Sequence, residues 1–512
     1  VLSFGTDLGL GQPMEHVLRQ TLIALRLAER LGLDEDERVV LYYSGLLAWI
    51  GCHVDAYEQA KWFGDDIAVK RDARFVDLKG PREDAVYVLR NLGAGKPPLE
   101  RIRIGAGFLA GGYKAVEHML GNHCLATVSL AESLGLGEAV GKSLTQAFER
   151  WDGRGPFRVE GEDILLTSRL IALADVVEVY ERTRGVEAAV AVARERKGTE
   201  FDPSLVELFA AEAPSVFDEF GEATSWDAVI AAEPSLERHL SEKDLEAALE
   251  AIADFADLKS PYTLGHSRSV ADLAGAAAGL LGLPLGEARI LRRAGLVHDL
   301  GRLGVSNAVW DKRGALTRSE LERIRLHPYL TERMLAFSAA LAPLGALAAG
   351  HHERLDGSGY PRGVRADALT PAARILAAAD TYCAKTEPRP HRPAGSPEES
   401  AALLRAEVKT GRLDGDAVDA VLRAAGHRVS RRREWPAGLT PREVEVLRLV
   451  ARGLSNKQIA ERLVITRKTA SNHVEHIYAK AGVSNRAQAS LFAVKHGLMA
   501  DVQVEAAGPG LS

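Results

Sequence analysis

Two adjacent histidines lead into a carboxylate and a glycine turn at His351-His352-Glu353-Arg354-Leu355-Asp356-Gly357-Ser358-Gly359-Tyr360-Pro361. His298-Asp299 precedes them, and His266, His327 and Asp380 complete the set. Borderline divalent metals favour imidazole nitrogen and carboxylate oxygen. Two such ions about 3.5–4 Å apart, sharing a bridging ligand and a water, make a hydrolytic centre for phosphate esters. On this reading Asp299 bridges the ions. His298, His266 and Asp380 serve the first, and His327, His351 and His352 the second. A lone histidine such as His327 is commonly a surface or packed residue. Seven candidate ligands gathered at helix ends and turns point to metal instead.

A second chemistry lies at the far end. Thr440-Pro441-Arg442-Glu443 combines a capping threonine, a proline at the first helical position and a glutamate at the third. Ser455-Asn456-Lys457-Gln458 repeats the device, and Thr466 opens a third helix. Gly453 ends the first helix and Gly482 the third. A fourth helix is expected over about 485–496. Val444, Leu447, Val450, Ile459, Leu463, Val474 and Ile477 are the expected core. This order of short helices puts the third in a DNA major groove. Lys468, Thr469, Asn472 and His473 then face the bases, and Lys457, Arg467 and Arg486 hold phosphates, which gives affinity without sequence information.

The elements that must position these residues read as helices almost throughout. Residues 16–31 place Leu and Ile at helical spacing, as do 285–300, 317–336 and 367–381. The fold class expected is all-α. An internal repeat is visible. His16 with Leu31-Gly32-Leu33 matches His266 with Leu281-Gly282-Leu283, and Gly45-Leu46 matches Gly295-Leu296, all at an offset of 250. Phe148-Glu149-Arg150-Trp151-Asp152-Gly153 echoes His352 to Gly357, and Asp175 echoes Asp380. Residues 10–210 and 260–425 are thus expected to be two copies of one helical unit. The first copy has Ala48-Trp49 in place of His298-Asp299 and Ala147-Phe148 in place of His351-His352. It has lost its ligands, which leaves His16 and Asp175 without partners and structural.

The expected organisation is a degenerate helical domain over 1–214, a helical connector over 215–258, the metal domain over 259–425, a basic linker over 426–438, the DNA module over 439–500 and a tail over 501–512. A length of 512 residues fits about three domains. The net charge of −6 is unevenly spread, because residues 439–498 hold ten Lys/Arg against four Asp/Glu. Cys52, Cys124 and Cys383 form no CxxC pair, which argues against a disulfide framework and for a reducing cytoplasm. No apolar run approaches the roughly 20 residues of a membrane span, and no membrane partner is expected. No signal peptide is expected either. The start at Val1 fits an alternative start codon or a trimmed end.

Residues 260–395 resemble an HD-GYP domain, a metal-dependent subgroup of the HD phosphohydrolases. The likeness rests on His266, His298-Asp299-Leu300-Gly301, Leu316-Thr317 with Glu320, His327-Pro328 and the HHERxDGSGYP stretch. It implies hydrolysis of cyclic di-GMP or a related cyclic dinucleotide at two divalent ions, iron or manganese. Asp299 and Arg302 would then be catalytic, with Gly359, Tyr360 and Pro361 placing the nucleotide. Arg389 and Arg392 are phosphate candidates, since guanidinium binds phosphate bidentately. Four positions depart from the family pattern. Arg302 replaces a lysine, and Tyr262 stands where some members carry a third-metal glutamate. Cys383 replaces an aspartate, and Arg389-Pro390-His391-Arg392 replaces Arg-Pro-Tyr-Arg. Residues 439–498 are similar to the LuxR-type helix-turn-helix, which implies DNA binding as a homodimer. Two further readings stay open. One is a LuxR-type regulator whose HD units are silent sensors or dimerisation units. The other is an HD-class phosphohydrolase acting on another phosphoester.

Overall fold

A computed structural model describes residues 1–77, 81–218, 225–234, 240–428, 435–496 and 498. Parts of the expected connector and linker, and the whole tail over 501–512, lie outside these residues. Among the described residues every regular element is helical, with only isolated bridges such as Asp356 to Arg365. The chain divides into two compact units, Val1–Arg428 and Val429–Ser512.

The two copies do not form separate bodies, and the expected boundaries at 214 and 259 fall inside one packed unit. Local chemistry explains this. Helix Glu242–Asp257, within the expected connector, buries Leu249, Ala253 and Phe255. Its outer carboxylates Glu242, Glu246 and Glu250 pair with Arg292 and Arg293 of the second copy. Helix Leu2–Gly9, near the chain start, also reaches across. Phe4 packs its ring 4.6 Å from that of Phe337. A Cβ on Gly5 would stand 2.7 Å from Leu303 Cδ1.

The duplication runs through the geometry. His16–Leu31 and His266–Leu281 are equal in length and end at Gly32 and Gly282, both left-handed. Asp7 accepts the N–H of Val17 as Asp257 accepts that of Ser267. Gly51 N–H donates to Thr127 Oγ1 and Gly301 N–H to Thr331 Oγ1. A Cβ on Gly51 would lie 2.1 Å from the His123 carbonyl oxygen, and one on Gly301 2.0 Å from that of His327. Both crossings therefore require glycine. Glu149 accepts the N–H groups of Phe157 and Val159, and Glu353 those of Arg362, Gly363 and Val364, so each carboxylate holds a glycine-turn loop.

The offset is 250 at Gly51 and Gly301 but 204 at Thr127 and Thr331, so the first copy carries 46 extra residues between these points. That segment includes helices Ala56–Phe63 and Asp66–Ala73. Buried Asp66 accepts from Ser306 Oγ at 2.6 Å and the Asn307 N–H at 2.8 Å. It thereby pins the short helix Asn307–Trp310 of the second copy.

Among the described residues, the C-terminal unit has four α-helices: Pro441–Ala451, Asn456–Leu463, Arg467–Ala481 and Arg486–Lys495. Reciprocal capping boxes start the first two, at Thr440 with Glu443 and Ser455 with Gln458. The core holds Val444, Leu447, Val450, Ile459, Val474 and Ile477, with Leu463 partly buried against it.

Candidate metal centre and nucleic-acid interface

Five segments of the second copy bring the seven predicted ligands together. His266 opens helix His266–Leu281, and His327 opens helix His327–Leu335. His298-Asp299 follows helix Leu285–Val297. His351-His352 lies in the turn after Ala342–Ala348, and Asp380 sits within Pro371–Thr386. Six of the seven are buried and His352 is half-buried.

The Asp299 carboxylate lies between two groups. Its Oδ2 is 3.8 Å from His266 Nε2 and 3.7 Å from His298 Nε2. Its Oδ1 is 3.3 Å from His327 Nε2 and 3.7 Å from His351 Nε2. His266, His298 and Asp380 form one cluster with ligand atoms within 4.8 Å of one another, and His327, His351 and His352 form another.

The residues fit a pair of divalent ions. Nδ1 of His298, His327 and His351 bonds the carbonyls of Gly295, Ile324 and Ala348 at 2.7, 2.5 and 2.7 Å. A carbonyl only accepts, so each Nδ1 carries the proton and each Nε2 presents its lone pair to the centre. His298 Nε2 is buried with no hydrogen-bond partner. His327 Nε2 and His351 Nε2 face each other at 3.1 Å. Facing lone pairs call for a cation. Burial and neighbouring imidazoles hold His351 down at about 3 and His352 well below its ordinary value, so both stay neutral, the form that ligates. Burial opposes charge on Asp299, but Arg302 and the imidazoles override it and keep the carboxyl well below the usual range.

A cleft of about 730 Å³ opens over this centre, lined among others by Tyr262, Arg302, Trp310, Tyr360, Lys385 and Arg389. That volume lies within the roughly 300–1,000 Å³ range of small-molecule sites. Arg302 donates to Asp299 Oδ2 at 2.9 Å, and its guanidinium carbon lies 3.9 Å from the centroid of the Trp310 ring. The Tyr360 ring stands 4.6 Å from that of His352. Gly359 is wedged where a Cβ would come within 2.5 Å of the backbone at His352, Glu353 and Arg354. It and Pro361 shape the turn rather than line the cleft.

The two predicted phosphate arginines both line the cleft, and each also makes bonds within the protein. Arg389 bonds the Tyr262 carbonyl at 2.8 Å and Glu387 at 3.0 Å. Arg392 donates to the carbonyls of Lys385, Glu387, Pro393 and Ala384, and so braces its own loop. Lys385, which sequence reasoning missed, lines the cleft, and among the described residues its ammonium has no ion-pair partner. Its place on a helix face was readable, but its approach to the cleft was not.

The expectation that His16 and Asp175 lack partners is corrected. His16 bonds Glu178 at 2.5 Å and Asp175 at 3.0 Å. Arg74, from the extra segment, reaches Asp175 at 2.8 Å and covers Trp49 at 5.0 Å. A third ligand type also survives. His123 stands where the second copy has His327, at the same offset as the threonine pair, and pairs with Asp55 at 2.7 Å. The 46-residue insertion hides this match in the sequence.

In the C-terminal unit Lys457, Arg467, Lys468 and Asn472 are exposed, and Thr469 and His473 are half-buried. Buried Ala470, Val474 and Ile477 mark the inner face of their helix. Arg486 is tied to the Leu454 carbonyl and to Asn456 Oδ1, so it clamps two helices together.

The HD domain family matches residues 250–417, and the family of bacterial regulatory proteins of luxR type matches 437–493. The 3'3'-cGAMP-specific phosphodiesterase 3 of Vibrio cholerae is 33% identical over 417 residues, covering 80% of this chain and 90% of that protein. The cyclic di-GMP phosphodiesterase response regulator RpfG of Xanthomonas campestris is 36% identical over 178 residues, 34% of this chain and 47% of its own length. A crystal structure of a cyclic GMP-AMP-specific phosphodiesterase of V. cholerae superposes with a TM-score of 0.57 at 28% identity, covering 84% of this chain and 96% of that one.

Proposed function

The chain belongs to the HD-GYP family of cyclic-dinucleotide phosphodiesterases, with a LuxR-type domain after it, and from that premise we propose that its second copy hydrolyses 3'3'-cGAMP while its C-terminal unit binds DNA. The observation that carries the enzymatic reading is the Asp299 carboxylate, shared between two groups of imidazoles at the floor of the cleft. The choice of substrate rests on the relative aligned across both copies, which is cGAMP-specific. The cyclic di-GMP relative RpfG aligns with about a third of the chain.

His266, His298 and Asp380 would hold one divalent ion and His327, His351 and His352 a second, with Asp299 standing between the two groups. Iron or manganese suits this donor set. Such ions supply Lewis acidity to phosphate oxygens and make water acidic enough to act as a nucleophile near neutral pH. The chain's own residues do the rest. Arg302, held over Trp310, keeps Asp299 ionised and offers its remaining N–H groups to a phosphate. The ammonium of Lys385 binds a phosphate oxygen as a point charge. Tyr360 closes one wall beside His352.

In the C-terminal unit, Lys468, Thr469, Asn472 and His473 read base edges, and Lys457 and Arg467 hold phosphates. One such module supplies one helix to one half-site, so the chain binds DNA as a homodimer. Nucleotide occupancy changes DNA affinity only if it favours one of two arrangements of the protein.

The test is a manganese- or iron-loaded full chain incubated in parallel with 3'3'-cGAMP and cyclic di-GMP, with products resolved by chromatography. His298→Ala/Asp299→Ala is the control. Linear product from cGAMP in excess of that from cyclic di-GMP is expected, and none from the control. Equal rates would remove the substrate preference. No turnover with metal bound would turn the site into a sensor, and DNA affinity with and without nucleotide would then be the deciding measurement.

A further inference from the structure

We propose that Glu387 is the residue that orients His266 toward its ion, in the place that a carboxylate one helical turn earlier takes against His16 in the first copy. This rests on reading the cluster as a metal centre. In the first copy His16 Nδ1 meets Glu178 at 2.5 Å, and Glu178 lies three residues after Asp175. The matching place in the second copy, three residues after Asp380, is Cys383. Its buried thiol is pushed far above its ordinary value and stays neutral. A neutral thiol is a weak partner for an imidazole N–H. His266 Nδ1 instead finds Glu387, with carboxylate oxygens at 2.9 and 3.0 Å.

The helical period makes the exchange possible. Positions three and seven residues after an aspartate lie on the same stripe of a helix. In the first copy that stripe carries Glu178 and then Arg182, which donates to Glu178 at 3.0 Å. In the second it carries Cys383 and then, one residue past the end of Pro371–Thr386, Glu387 in extended backbone. The carboxylate has moved one turn along, and the supporting cation has moved with it. Arg389 holds Glu387 at 3.0 Å and is itself anchored on the Tyr262 carbonyl. This assigns Arg389, on the cleft rim, to supporting Glu387.

The consequence is a fixed ring orientation. With Nδ1 committed to Glu387, Nε2 is the His266 nitrogen turned to the centre, 3.4 Å from Asp380 and 3.8 Å from Asp299, and is the one that would ligate an ion held there. An outer carboxylate of this kind orients a metal-binding histidine and raises its basicity. Glu387 is thus a positioning residue with no direct part in ligation.

The experiment titrates Mn²⁺ into the full chain, followed by electron paramagnetic resonance, beside kcat for cGAMP. Glu387→Ala is expected to weaken Mn²⁺ binding about 10- to 100-fold, the usual effect of removing such a partner. Glu387→Gln keeps an acceptor and falls between Ala and the parent. Cys383→Asp added to Glu387→Ala returns the carboxylate to the earlier turn and recovers most of the lost affinity. Parental Mn²⁺ affinity in Glu387→Ala overturns the proposal. So does a double variant as weak as the single one. A parent that binds Mn²⁺ but turns over no nucleotide removes the phosphodiesterase reading alone, because the affinity series still decides the role of Glu387.

Discussion

The two copies share a scaffold and differ at its centre. Both keep the glycine crossing at Gly51 and Gly301, the threonine that caps it, and the loop-holding carboxylates Glu149 and Glu353. At the centre, His298 and Asp299 give way to Ala48 and Trp49, and His351 and His352 to Ala147 and Phe148. The first copy closes the space with Trp49 against Phe148 and sets the Arg74 guanidinium beside Asp175. A buried carboxylate needs a positive partner. In one copy that partner is a side chain, and in the other the donor set suits exchangeable ions. Packing and chemistry are therefore separable here, and each can be broken without the other.

The largest contrast is expected between Asp299→Ala and Trp49→Ala, which alter corresponding places. A catalytic ion supplies several kcal/mol of transition-state stabilisation, so Asp299→Ala should cost roughly 100-fold or more in turnover. Trp49→Ala removes a buried indole and should cost about 3–5 kcal/mol of stability. Its turnover at a temperature where it is folded should stay near parental. Product formation alongside denaturant titration checks both. Equal loss of activity in the two variants would mean that the centres are not independent.

Arg74→Met comes next. It strips one of two cations from Asp175 while roughly keeping volume; because His16 remains at 3.0 Å, the loss should fall below the about 3–5 kcal/mol of a buried charge left with no partner. Manganese should not restore the loss, because Trp49 and Phe148 fill the place where ligands would stand. A manganese-dependent rise in the denaturation midpoint of this variant would show that the first copy still holds metal.

Smaller effects should follow from Gly155→Ala and Gly359→Ala. Each Cβ would meet backbone within 2.7 Å, and overpacking of this kind costs about 1–3 kcal/mol. Both should lower stability, but only Gly359→Ala should also raise KM.

A last contrast is a slope in pH. Burial disfavours charge on His16, but Glu178 and Asp175 outweigh it and raise the imidazole to about 10. His123, against burial, is raised to about 9 by Cys52 and Asp55. The unfolded value lies near 6.5. Between these limits the folded state binds more protons than the unfolded one. Their stabilisation is complete below about pH 6.5 and is lost as pH rises toward 9–10. Denaturation midpoints at pH 6.5 and 9.5 should show the fall, and His16→Gln should flatten it.

The clustering of the seven candidate ligands was readable in the sequence because their types and their places at helix ends are themselves the chemistry. The four C-terminal helices were equally open, since capping boxes and glycine stops act locally. Long-range features were hidden. His123 escaped notice because an insertion shifts the register, and Arg74 because its target lies about 100 residues away. Glu387 was hidden because the sequence does not say which turn of a helix meets His266. Arg392 and Arg486 carry the right charge for phosphate, but a sequence cannot report that their donors are already taken by carbonyls.

The docking of Leu2–Gly9 against the second copy has a consequence for synthesis. Phe4 leaves the ribosome more than 300 residues before Phe337. At about 5–20 residues per second, the interval is on the order of half a minute. During that time the nascent first copy presents an uncovered aromatic face. Ribosome-associated chaperones would have their longest opportunity there, and slowing translation between the copies should lower the yield of soluble chain.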